Sequence, residues 1–165
     1  MADLKIRKIP DSILRKKAAK VDKVSDKEKK VLADMAETMY LNQGVGLAAV
    51  QVGIDRQLAV IDVGDGLIKL INPVIVKKDG QETQEEGCLS VPEVTVKVKR
   101  AKTVHVNFLN EEGEVIQLRA EGLLARAIQH EIDHLSGVLI VDHLNPIQKL
   151  LLKKKPTLSK TAKRI

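Results

Sequence analysis

An α+β fold is expected from three observations. Strand-like stretches cluster between about residues 57 and 120, and helical stretches lie on either side of them rather than alternating with them. The strand candidates are short and either alternating or apolar, and "NEEG" at 110–113 joins two of them as a hairpin. The chain has 165 residues and is 44% hydrophobic, which suits one compact domain with its own core.

The elements follow in order. "DSILRKKAAK" (11–20) reads as a short helix capped by Asp11 or Ser12. "SDKEKKVLADMAETMYLN" opens with Ser25 and Glu28 at capping-box spacing, and Val31, Leu32, Met35, Met39 and Tyr40 give it an apolar stripe. That helix should run to about Asn42, where Gly44 and Gly46 break the pattern. "QLAVIDV" (57–63) and "LIKLINPVIV" (67–76) are rich in β-formers. "VTVKVKR" (94–100) alternates strictly, so one of its faces should be wet. "TVHVNFL" and "VIQLRA" flank the hairpin around Gly113. A helix from about Gly122 to Leu135 follows, apolar nearly all round and therefore expected to be buried. Asn145 and Pro146 read as cap and first turn of a last helix, "PIQKLLLKKK", ended by Pro156. Ile147, Leu150 and Leu151 are expected to hold it to the body while its lysines face out.

Composition excludes several classes. "MADLKIRKIPDS" has no apolar core segment, so no signal peptide is read there. No apolar run approaches the roughly 18 residues of a membrane span. The single cysteine, Cys88, allows no internal disulfide, and a soluble cytoplasmic monomer without membrane contact is expected. The net charge of +6 is uneven: seven bases follow Asp142 with no acid among them, which leaves a near-neutral body and a basic tail. Tyr40 and Phe108 are the only aromatics, too few to form stacking platforms for single-stranded nucleic acid.

The chemistry concentrates in "QHEIDHLSG" (129–137). His130 and His134 stand four apart, so a helix points both imidazoles the same way, and Glu131 lies beside them. Two imidazoles and a carboxylate in that pattern point to a bound metal and a proton carrier. Leu123, Ala127, His130 and His134 share one helix face. A third ligand is needed. The metzincin pattern would put a histidine at position 140, which is Ile140, and no glutamate follows Glu131. Asp142 and His143 match neither downstream pattern, which turns the search upstream to "EEGCLSVP" (85–92). Cys88 there has two readings. It is a small buried hydrophobe, or a thiolate that completes a site of one sulfur and two nitrogens with a position left open, as in catalytic centres. His105, in an alternating strand, reads as exposed, and His143 as structural or surface. In "GVGLAAVQVG" (44–53), Gly44 and Gly46 let the backbone pass close to something, and the Gln51 amide could meet an oxyanion. The stretch lacks the Lys-Ser/Thr of a P-loop and could also be a plain turn.

"GVGLAAVQ", "EGCLSVP" and "QHEIDHLSG", in this order, resemble the three signature motifs of bacterial peptide deformylases, and "MADLKIRKIPDSILRKKA" and "ETMY" extend the likeness. The resemblance implies hydrolytic removal of the N-formyl group from the initiator methionine of nascent polypeptides. It implies antiparallel sheets packed around a central metal-binding helix, with a C-terminal helix. It implies that Cys88, His130 and His134 hold one divalent metal, Fe2+ in the active form, with Zn2+, Ni2+ or Co2+ as other occupants. Glu131 would then be the general acid and base, and Gln51 with the backbone N–H of Leu89 would bind the formyl oxygen. Val45 and Gly46 would pair with the substrate backbone, Arg100 would sit near its exit side, and Leu123 and Ala127 would line the methionine pocket. Residues 1–145 would form the catalytic domain and residues 146–165 a basic helix and tail, through which the ribosome is a candidate partner.

Two rival functions are compatible with the residues alone. One is a metallopeptidase using the HExxH pattern on internal peptide bonds. The other is a non-enzymatic metal domain that binds RNA through its tail, although three protein ligands are too few for a closed structural site.

Overall fold

The computed structural model describes residues 3–154, 164 and 165. Helix α1 spans Asp26–Leu41, and the expected capping box forms: the Ser25 side chain accepts from the Lys27 N–H, and the Glu28 carboxylate accepts from the Ser25 N–H at 2.9 Å. Its stripe, led by Leu32, Met35 and Met39, is buried against Leu47, Leu58, Val60 and Ile71.

Five antiparallel strands form the main sheet: β1 (Gly46–Ala48), β2 (Leu58–Ile61), β3 (Ile68–Asp79), β6 (Thr103–Leu109) and β7 (Val115–Glu121), in the order β1-β2-β3-β6-β7. β4 (Glu82–Cys88) and β5 (Val91–Arg100) make a separate antiparallel pair. The alternation in the sequence is realised. Val104, Val106 and Phe108 of β6 point inward, and in β5 the exposed Lys97 and Lys99 alternate with buried Val96, Val98 and Arg100. Pro73, inside β3, is tolerated because the pairing with β6 shifts register between Ile71 and Val74. Asn72 turns there with φ 51°, and its side chain bonds both the N–H and the carbonyl of Val21.

Helix α2 (Gly122–Leu135) lies between the sheets, with Ala125, Ala127 and Ile128 in one apolar cluster with Ala59, Ile61, Leu70, Val104 and Val106. Nine of its residues are buried, His130, Glu131 and His134 among them. Helix α3 (Pro146–Lys154) starts as expected, with the Asn145 side chain accepting from the Gln148 N–H at 2.8 Å.

Three expectations are corrected or extended. Residues 11–20 form only a 3-10 turn over Ser12–Arg15, because Ile13 and Leu14 are too few apolar positions to anchor a longer helix. β1 and β4 are strands without an alternating pattern to announce them. Ile147, Leu150 and Leu151 do not hold α3 to the body: they are 71%, 57% and 60% exposed, and no core cluster of the described residues includes them. Pro156, Lys155, Lys160 and Lys163 lie outside the described residues. No helix of the described residues is long and apolar enough to cross a membrane.

Candidate metal centre and active site

His130 and His134 are one turn apart on α2, and Cys88 ends β4 at a register shift that separates it from Gly87. The bulge re-aims the thiol toward the helix. Cys88 Sγ lies 3.3 Å from His134 Nε2, which lies 3.0 Å from His130 Nε2. Ligand atoms of all three residues fall within 4.8 Å of one another, and all three side chains are buried.

Glu86 fixes one imidazole. Its Oε2 lies 3.0 Å from His130 Nδ1, so Nδ1 carries the proton and Nε2 presents its lone pair to the cluster. Arg100 holds the same carboxylate through two donors, at 2.8 and 3.0 Å, and Arg126 Nη1 donates to it at 2.7 Å. Burial alone would raise Glu86, but the bonds from Arg100 and His130 outweigh it and hold the carboxyl well below the ordinary range.

The donor set fits a metal cation. Burial, reinforced by the nearby Glu131 charge, pushes the Cys88 thiol up to about 12, so a cation is what would favour the thiolate near neutral pH. Burial likewise pushes His134 well below its ordinary value, which keeps the imidazole neutral with a lone pair to give. A soft sulfur and two imidazole nitrogens converging in a buried cluster suit a transition metal.

Glu131 is fully buried, and neither carboxylate oxygen has a hydrogen-bond partner among the described residues. Burial raises its pKa well above the ordinary carboxylate value, the reverse of Glu86. Gly46 explains the local sequence: a Cβ there would overlap Glu131 Oε1, so only glycine lets β1 pass this close. Gln51 sits in a 3-10 turn over Ala49–Val52. Its Oε1 accepts from the Ala48 N–H at 2.9 Å, and its Nε2 donates to Ser90 Oγ at 3.1 Å and faces Cys88 Sγ at 3.7 Å. The N-terminal segment braces both residues, with the Arg7 N–H donating to the Gln51 carbonyl and the Ile9 N–H to that of Ser90. This arrangement can hold a metal beside a proton-accepting carboxylate and an amide donor, the parts of a hydrolytic site.

Residues 3–150 match the family described as Polypeptide deformylase. The chain belongs to that family. This deformylase is a hydrolase that removes the N-formyl group from the initiator methionine of newly made polypeptides, and it is metal-dependent as its family is. It is 58% identical over 142 residues to the peptide deformylase of Caldanaerobacter subterraneus subsp. tengcongensis, covering 86% of this chain and 89% of that one. The crystal structure of the Thermotoga maritima peptide deformylase superposes with a TM-score of 0.86 at 46% identity, over 88% of this chain and 100% of that one. That of the Synechococcus elongatus peptide deformylase, solved in complex with actinonin, gives 0.88 at 40% identity over 100% and 92%.

Within the deformylase site, Cys88, His130, His134, Glu131 and Gln51 come together, and the buried Leu89 follows Cys88 in the turn between β4 and β5. Gly46 lies against Glu131, with half-buried Val45 before it; Ala127 is buried and Leu123 half-buried in α2. Arg100 is buried, and its guanidinium is committed to Glu86 and, through Nη1 at 2.6 Å, to Asp133. A buried carboxylate must be paired, and that demand draws Arg100 in. His105 is half-buried in β6 rather than exposed, and His143 pairs with Asp133 at 3.1 Å in a structural role. Sequence reasoning missed Glu86, Arg126 and Ser90. Arg126 was the available signal: a charge inside a helix buried all round requires an acidic partner, and "EEG" beside Cys88 supplies one.

Proposed function

We propose that Cys88, His130 and His134 hold one Fe2+ ion, with Zn2+, Ni2+ or Co2+ as alternative occupants, and that Glu131 carries the proton in deformylation. The convergence of the three donors beside a buried, unpartnered carboxylate is the observation that carries this reading. A divalent cation there would supply Lewis acidity that makes water nucleophilic near neutral pH. Donor softness alone suits zinc, and the preference for iron rests on the family resemblance.

The chain's own residues do the rest. Glu131 takes a proton from the attacking water on a carboxylate oxygen and delivers it to the departing amine nitrogen. Burial raises its pKa, which favours the protonated form that delivers the proton to the amine. Gln51 Nε2, fixed by the bond between its Oε1 and Ala48, donates with the Leu89 N–H to the formyl oxygen as negative charge builds, each donor contributing about 3 kcal/mol. Val45 and Gly46 pair with the substrate backbone, and Leu123 and Ala127 line the apolar slot for methionine. Arg100 is a positioning residue that holds Glu86 and, through it, His130.

Residues 1–145 form the catalytic domain and residues 146–165 a basic helix and tail that approaches the ribosome. The protein acts as a cytoplasmic monomer on nascent formyl-methionyl chains. The test is formate release from formyl-Met-Ala by protein purified without oxygen, with metal content measured and turnover compared for each occupant. Cleavage of casein, or RNA binding without formate release, would refute the reading in favour of its rivals.

A further inference from the structure

The two sheets each leave an edge facing the site. Among the strands of the described residues, β1 pairs with β2 alone and β4 with β5 alone. Arg164 and Ile165 lie between these edges. The Val45 N–H, just ahead of β1, donates to the Arg164 carbonyl at 3.1 Å, and the Ile165 N–H donates to the Gly87 carbonyl of β4 at 3.0 Å. Arg164 pairs with Gly87 as a parallel bridge. Ile165 is 1% exposed, within the apolar cluster that includes Ala127 and Ile128 and against which Val45 packs. Arg164 is exposed and borders a groove of about 500 Å³ that also touches Cys88, Leu89 and Arg7.

An extended segment clasped by one N–H and one carbonyl from opposing sheet edges, with an aliphatic side chain sunk beside it, is peptide recognition by strand addition. Exposed edges invite such pairing. Among the described residues the anchor is small: two backbone hydrogen bonds and one buried side chain. The preceding helix α3 adds little restraint, since Ile147, Leu150 and Leu151 are exposed. A segment held this way can exchange with a competing peptide.

We infer that Arg164–Ile165 is an internal ligand of the substrate groove and must leave before a formyl peptide can bind. The inference rests on the assignment of Val45 to the substrate backbone. When only a fraction of molecules is open, the apparent affinity for substrate falls by that fraction. Occupancy of the groove in about two thirds to nine tenths of molecules would therefore raise KM about three- to tenfold.

The experiment uses the metal-loaded enzyme, a variant lacking residues 164 and 165, and Ile165→Asp in the full chain. Both variants should lower KM for formyl-Met-Ala-Ser about three- to tenfold with kcat unchanged. By NMR, the parent's Ile165 amide should exchange about three- to tenfold more slowly than in a free peptide, and the product peptide Met-Ala-Ser should release it while still perturbing Val45. An Ile165 amide that exchanges at the free-peptide rate overturns the inference, and if Val45 still responds to Met-Ala-Ser the assignment of the groove survives. An Ile165 amide that stays protected at saturating Met-Ala-Ser, with Val45 unmoved and KM unaltered in both variants, overturns the inference and the groove assignment together.

Discussion

Glu131 and Glu86 are both buried carboxylates, but Glu86 is paired with cations while neither Glu131 oxygen has a hydrogen-bond partner among the described residues. Glu131→Gln should therefore keep one metal per chain and lose at least about 10²-fold in turnover. Metal analysis alongside formate release checks both halves, and near-normal turnover would end its role as proton carrier. Gly46→Ala puts a methyl group where Glu131 Oε1 lies, so turnover should fall while circular dichroism stays unchanged. Tyr40 offers a pH test away from the metal. Its hydroxyl donates to Asp62 at 2.6 Å, and that bond, with some burial and the Asp62 charge, raises its pKa to about 12. A raised pKa means stabilisation that is present below the unfolded value of about 10 and lost as pH rises toward about 12. Tyr40 is the only tyrosine and there is no tryptophan, so tyrosinate absorbance reports it alone. Its midpoint should drop toward about 10 in Asp62→Asn, and an unmoved midpoint would show that Asp62 does not set it. At this scale the candidate site residues His130, Glu131 and His134 were legible, because they advertise themselves by spacing within one helix. Glu86 and the inward turn of Arg100 were not, because pairing a buried charge depends on which strands meet.

Local signals decided which elements could be read. α1 has a capping box and a stripe, α2 an apolar circumference, and β6 strict alternation, and each lies where the pattern put it. β1 is three small or apolar residues, and β4 reads "ETQEEGC", so neither has a period to detect. β4 is held instead by tertiary pairing. Arg126 of α2 donates to Glu86, to the Val98 carbonyl at 2.9 Å and to the Glu82 carbonyl at 2.8 Å, which ties the helix to both strands of the smaller sheet. Arg126→Met leaves two strand carbonyls unmet and one fewer cation on Glu86. It should cost about 3 kcal/mol and lower Tm by roughly 6–12 °C. A calorimetric Tm within a degree or so of the parent would show that Arg100 alone suffices. Ser25→Ala tests a smaller device. Losing that cap should cost about 1 kcal/mol without touching kcat, because α1 packs on the core rather than carrying site residues.

The whole molecule combines a packed catalytic body with a helix that lies outside its core, and only the first half of that description was legible. The heptad-like spacing of Ile147, Leu150 and Leu151 suggested packing on the body, but an amphipathic stripe says only that a helix has an apolar face, not which surface covers it. Those side chains are exposed, as is Lys149, so α3 presents apolar groups and a cation on its surface, and the sequence adds further lysines after Leu151. The substrate of this enzyme is a nascent chain, so the RNA-rich region where such chains emerge is the proposed partner. Phosphate contacts release counterions, so co-sedimentation with ribosomes should weaken steeply as salt rises. Replacing Lys149, Lys153 and Lys154 with Gln should reduce the salt dependence by removing charge. Replacing Ile147, Leu150 and Leu151 with Ser should weaken binding at every salt concentration by removing the apolar part of the contact. Neither variant alters residues 164 and 165 or any site residue, so turnover of formyl-Met-Ala should match the parent in both. If both variants sediment with ribosomes as the parent does, α3 is a solvated end and the docking proposal fails.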